Sequence, residues 1–173
     1  MLVLKNVADR ERFETSEELE DAQFGLTQRT YALGLDQLMA GGGTDPEQVG
    51  LRVYETRAGK PVAFFDVDES GEGSVRSASS SSIHLDAFAA AVETAKRIIP
   101  QDGDESADTR LLRVPALNFE ALWVETGKGE SVIVPLLAVA GLEIGQSYPL
   151  DAALETLREA ARPLVDMDDT MGA

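Results

Sequence analysis

An α+β domain is the fold class the sequence predicts: an antiparallel sheet built from two β-hairpins, each followed by an amphipathic helix, with an N-terminal helix ahead of them. Three observations carry this. Short apolar and β-branched runs come in pairs around turn-forming residues. Two other segments repeat apolar residues at three- and four-residue steps, the period of a helix with one buried face. The order strand, turn, strand, loop, helix occurs twice, headed by Leu51-Arg52-Val53 and by Leu112-Arg113-Val114. Two hairpins with helices packed on one face make a sensible two-layer domain.

The elements follow in order. Thr15-Ser16-Glu17-Glu18 has the capping-box pattern, and Leu19, Ala22 and Leu26 continue at helical spacing, so a helix is expected through about residue 24. Residues 25–39 read two ways. Tyr31, Leu33 and Leu35 alternate as in a strand, whereas Leu35, Leu38 and Met39 suit a helix. Gly25 and Gly34 would each cost a continuous helix about 1 kcal/mol, which favours a helix, a break and then a short strand. Gly41 to Pro46 is a loop, and no Lys-Ser/Thr follows its glycines as a phosphate cradle requires.

Leu51–Thr56 and Val62–Val67 form the first predicted hairpin around Arg57 to Pro61. Ser77 to Ser82 reads as a serine-rich loop. From Leu85 a stripe of Phe88, Val92, Ala95 and Ile99 defines a helix, with Lys96 and Arg97 in its last turn and Pro100 as its stop. Gln101 to Asp108 is an acidic loop. Leu111–Glu125 reads as one long strand with Leu117, Phe119, Ala121 and Trp123 on one face, and Pro115 inside it points to an edge or a bulge. A turn at Thr126 to Glu130 leads to a strand at Ser131–Leu136, then a loop at Gly141–Pro149. A final helix is marked by Leu150, Leu154, Leu157 and Ala161 and is expected to end at Pro163. Residues 1–165 are thus read as a single α+β domain and 166–173 as a flexible acidic tail.

Composition excludes more than it identifies. The chain of 173 residues contains no cysteine, which removes disulfides, thiolate nucleophiles and Cys-ligated metal centres. Its start carries no basic segment followed by an apolar one, so no secretory signal is read and a cytoplasmic location is expected. No run approaches the roughly 18 apolar residues of a membrane-spanning helix. Thirty-one acidic residues against fifteen basic ones leave a net charge of −16. That field repels nucleic acid and anionic lipid, and it would suit a basic partner while also serving solubility.

Among candidate chemistry, Asp66-Val67-Asp68-Glu69-Ser70-Gly71 matches the first half of a calcium-binding EF-hand loop. Its twelfth position is Ser77 instead of a bidentate Glu, and its eighth is Gly73, so a solvated turn is the reading and no metal is assigned. His84 is the single histidine, which rules out multi-histidine metal sites within the chain. It lies beside Ser79–Ser82, but no nucleophile elbow is present, and a serine there reads as a helix N-cap. Asp66/Asp68 and Asn118/Glu120 each place two polar groups on one strand face, where paired carboxylates could do acid–base work. Phe119 and Trp123 read as a core stripe, without the basic patch that base stacking would need. No catalytic residue is assigned and no cofactor is expected.

The approximate layout resembles that of small acidic secretion chaperones, a likeness of element order that rests on no diagnostic residues. The function this favours is a non-enzymatic interaction or adaptor module. It would have a protein partner, admit a homodimer, and hold its partner through the sheet by strand addition near Pro115. The alternatives are a carboxylate-based hydrolase, with or without a divalent ion, and a structural subunit of a larger assembly.

Overall fold

The computed structural model describes residues 23–41, 45–58, 60–68, 74–99, 108–126 and 129–170. Its elements are β1 (Gln23–Ala32), α1 (Leu35–Ala40), β2 (Glu47–Arg57), β3 (Lys60–Asp68), β4 (Val75–Ser79), α2 (Ser82–Ile98), β5 (Asp108–Val114), a 3-10 turn (Pro115–Leu117), β6 (Phe119–Glu125), β7 (Ser131–Pro135), β8 (Tyr148–Pro149) and α3 (Leu150–Thr170). The strands form one eight-stranded sheet in the order β4-β3-β2-β1-β5-β6-β7-β8. β1 and β5 run parallel, while the remaining neighbours are antiparallel, so the sheet is mixed.

Two meanders, β2-β3-β4 and β5-β6-β7, flank β1 and run outward from it in opposite directions. Leu51-Arg52-Val53 and Leu112-Arg113-Val114 lie on the strands of each meander that pair with β1. Residues two apart on a strand share a face. On one face α2 lays Leu85, Phe88, Ala91 and Ala95 against Tyr54, Phe64, Leu111, Leu122, Val124, Val134 and Leu136. On the other, α1 and α3 supply Leu38, Ala153, Leu157 and Ala161 against Leu112, Val114, Phe119, Ala121, Trp123 and Ile133.

The sequence-based fold class needs correction in several places. The structure is not two hairpins each followed by a helix, and its sheet is not purely antiparallel. No N-terminal helix is present among the described residues. β1 begins at Gln23, where the expected helix would have been finishing, and residues 1–22 lie outside the description. Within 25–39 each of the two readings holds in part: Tyr31 belongs to β1, whereas Leu35, Leu38 and Met39 belong to α1. Gly34 supplies the break: its N–H donates to Gln37 Oε1 at 2.8 Å and opens α1. The secretion-chaperone likeness depended on the other layout and lapses with it.

Leu111–Glu125 is a hairpin and not one strand. Pro115 takes the first position of the 3-10 turn, where its missing N–H costs nothing, and Asn118 closes the turn at φ 49°. Pro115 therefore lies at no sheet edge; the outer strands are β4 and β8. The serine-rich segment predicted as loop begins with the last three residues of β4, which pairs Ser77 with Asp66 and Ser79 with Phe64. Exposure along that edge removes the apolar alternation that would reveal a strand. α3 continues past Pro163 to Thr170. Pro163 is exposed, so the carbonyl its ring deprives of a partner can turn to water.

Candidate functional site

Arg52, near the middle of β2, stands opposite Asp66 on β3, and Arg113 of β5 stands opposite Glu120 of β6. All four side chains point to the α2 face, where the two pairs merge. Arg52 Nε donates to Asp66 Oδ1 at 2.7 Å and its Nη2 to Oδ2 at 3.1 Å. The same guanidinium donates through Nη1 to Glu120 Oε1, and through Nη2 to Oε2 at 3.1 Å. Arg113 closes the ring, 3.5 Å from Asp66 Oδ2 and 3.4 Å from Glu120 Oε2. Ser77 Oγ donates to Asp66 Oδ2 at 3.0 Å. The Arg52 guanidinium also lies 4.0 Å from the centroid of the Phe64 ring, a cation–π contact.

Burial is graded across this cluster. The Arg52 side chain is 3% exposed, Glu120 7%, Asp66 13% and Arg113 41%. Burial by itself raises the pKa of Asp66, but hydrogen bonds and charge from Arg52, with Ser77 and Arg113 added, outweigh it and hold the carboxyl below its ordinary value. Burial likewise disfavours the Arg52 cation, and the two carboxylates more than restore it. Tyr54, two residues on, is pushed well above the usual phenol range, chiefly by burial. Chemically, this arrangement holds Asp66 ionised and ties both carboxylates to arginine.

Of the residues singled out from sequence, Asp66 and Glu120 are brought together and the others are not. Asp68 pairs with Arg76 at the exposed end of the sheet, at 3.0 and 2.9 Å. Asn118 sits in the turn instead of on a strand face with Glu120. His84 stands edge-on to Phe64, ring centroids 6.2 Å apart, and among the described residues it hydrogen-bonds to no serine. Ser81 occupies the N-cap of α2, although its hydroxyl makes no capping bond. In the calcium-loop segment, Asp66 and Asp68 belong to β3 and have arginine partners, and 69–73 fall outside the description. Among the described residues no group of three or more carboxylate or histidine side chains could hold a metal ion. Phe119 and Trp123 both lie in the core. Arg52 and Arg113 escaped sequence reasoning; the signal was an arginine enclosed by apolar residues on two predicted strands.

The opposite face carries a cleft of about 530 Å³ between α1 and α3. Leu33, Leu38, Trp123, Leu150 and Leu154 provide its apolar lining, and Gln37, Asp45, Asp151, Glu155 and Arg158 its polar lining. Arg158 joins the two walls: its Nε donates to the Leu38 carbonyl at 2.9 Å and its Nη1 to Glu155. Trp123 also meets Tyr31, edge-on at 5.6 Å between centroids, and Arg110, 5.0 Å from its ring. Its buried indole N–H has no acceptor among the described residues. This lining was not legible in sequence, because its residues come from distant parts of the chain, around 33–46, at 123 and along 150–158. Among the described residues no helix is long and apolar enough to cross a membrane. No protein-family model, curated protein or solved structure matches the chain.

Proposed function

We propose that the chain is a non-enzymatic protein-interaction module of adaptor type, which receives part of a partner protein in the cleft between α1 and α3. The observation that carries this reading is the cleft itself: about 530 Å³, walled by two helices and lined by leucines and a tryptophan. That volume falls among ordinary binding pockets, and an aromatic floor inside a polar rim is how protein contacts concentrate their binding energy. The hydrolase reading loses ground on the other face. Carboxylate-based hydrolysis needs one acid that stays protonated near neutrality. Asp66 is driven the other way by Arg52, and Glu120 shares that same guanidinium.

Leu154→Arg tests the reading by placing a long cation in the cleft from a half-buried position on α3. A protein retained from lysate by the wild-type chain, then identified and purified, should lose binding to this variant while the far-UV spectrum and melting curve persist. Equal binding of that purified partner to both forms would count against the cleft.

A further inference from the structure

We infer that the occupant of the cleft is a basic amphipathic segment, with apolar anchor side chains flanked by lysine or arginine. This rests on the interaction reading and adds the chemistry of the partner. The apolar lining selects the anchors, since taking a leucine- or phenylalanine-sized side chain out of water is favourable. The rim selects the flanks. Among the described lining residues Asp45, Asp151 and Glu155 face a single cation, Arg158, which is already committed to Glu155 and to the Leu38 carbonyl. With Glu155 paired to Arg158, the exposed carboxylates of Asp45 and Asp151 are the ones that act on whatever approaches. The net charge of −16 extends the same sign over the rest of the molecule and steers a cation toward it. A volume of about 530 Å³ admits a few side chains of a short segment and not a folded domain.

Trp123 makes the test direct, because it is the only tryptophan in the chain and it lines the cleft. Three synthetic peptides are titrated while its emission is followed, with calorimetry in parallel. One has leucine and phenylalanine anchors with lysine flanks, one the same anchors with glutamate flanks, and one the lysine flanks with serine in place of the anchors. The first alone should bind and change the emission. Its affinity should fall as salt rises, and Asp151→Asn should weaken it by about two- to fivefold. If the glutamate-flanked peptide binds as well as the lysine-flanked one, the charge chemistry is overturned while the cleft stands. If the basic peptide binds by calorimetry but leaves Trp123 emission unchanged and ignores Leu154→Arg, the cleft reading falls too. Absence of binding by all three overturns the inference.

Discussion

Arg52 and Glu120 are buried partners although two strands, β1 and β5, lie between theirs. At a strand spacing of about 4.8 Å their backbones would stand roughly 14 Å apart in a flat sheet. The side chains meet across this gap through the long reach of the arginine and the glutamate toward each other. One guanidinium thereby ties the β2-β3-β4 meander to the β5-β6-β7 meander.

Removing the arginine should therefore cost much more than an ordinary surface change. Arg52→Ala leaves Asp66 and Glu120 buried beside only the half-exposed Arg113, and breaking such a pair typically costs about 3–5 kcal/mol. Arg52→Lys keeps the charge but cannot grip two carboxylates bidentately, so an intermediate loss is expected. Urea denaturation of the two variants checks the ordering; equal and small losses would show that the cluster contributes little.

The pH dependence follows from Asp66. Its pKa in the folded chain lies below the unfolded value of about 3.9. The stabilisation is fully present above that unfolded value and is lost as pH falls through the folded pKa. Urea midpoints measured from pH 6 down to pH 2.5 should show a steeper acid-side fall for wild type than for Asp66→Asn. Parallel acid limbs would contradict the assignment.

Gly50 lies between β1 and β3, opposite Thr30 and Asp68, at φ 157°. A Cβ there would stand 2.3 Å from the Val67 carbonyl oxygen, which belongs to the backbone and cannot move aside. Gly50→Ala is expected to destabilise by at least about 2 kcal/mol, through strand displacement. Thermal melting gives the answer, and an unchanged midpoint would mean that the two strands are less closely held.

The turn that makes a hairpin of β5 and β6 can be tested at Asn118, whose left-handed conformation asparagine and glycine accept. Asn118→Gly should be nearly neutral, whereas Asn118→Val should cost about 1–2 kcal/mol. Chemical denaturation of the pair separates the outcomes; similar losses would argue against this backbone geometry.

These particulars explain what sequence could reveal. β2, β3 and β7 were legible as short β-branched and aromatic runs between turn residues, and α2 by its helical period. β6 was not, since helices cover both sheet faces and six of its seven residues are buried. A strand buried on both faces reads as a continuous apolar run, so Leu111–Glu125 merged into one element despite Pro115 and Asn118. β4 failed for the opposite reason, as an exposed edge of serine and arginine. Asp66 and Glu120 were recognisable as candidates, but their convergence depends on the β1–β5 parallel pairing, which no local pattern encodes. Arginine outnumbers lysine eleven to four. Part of that bias has a physical reason, because Arg52, Arg76, Arg110 and Arg113 each contact more than one carboxylate oxygen or use more than one nitrogen.

In this proposal the Arg52 cluster holds the fold and the cleft binds, and one titration separates the two roles. Trp123 emission is followed as the lysine-flanked peptide is added to wild type, Glu120→Gln and Leu154→Arg, each at a temperature where it is folded. Wild type and Glu120→Gln should respond with closely similar midpoints, and Leu154→Arg should not respond. A response lost in Glu120→Gln and kept in Leu154→Arg would contradict the account.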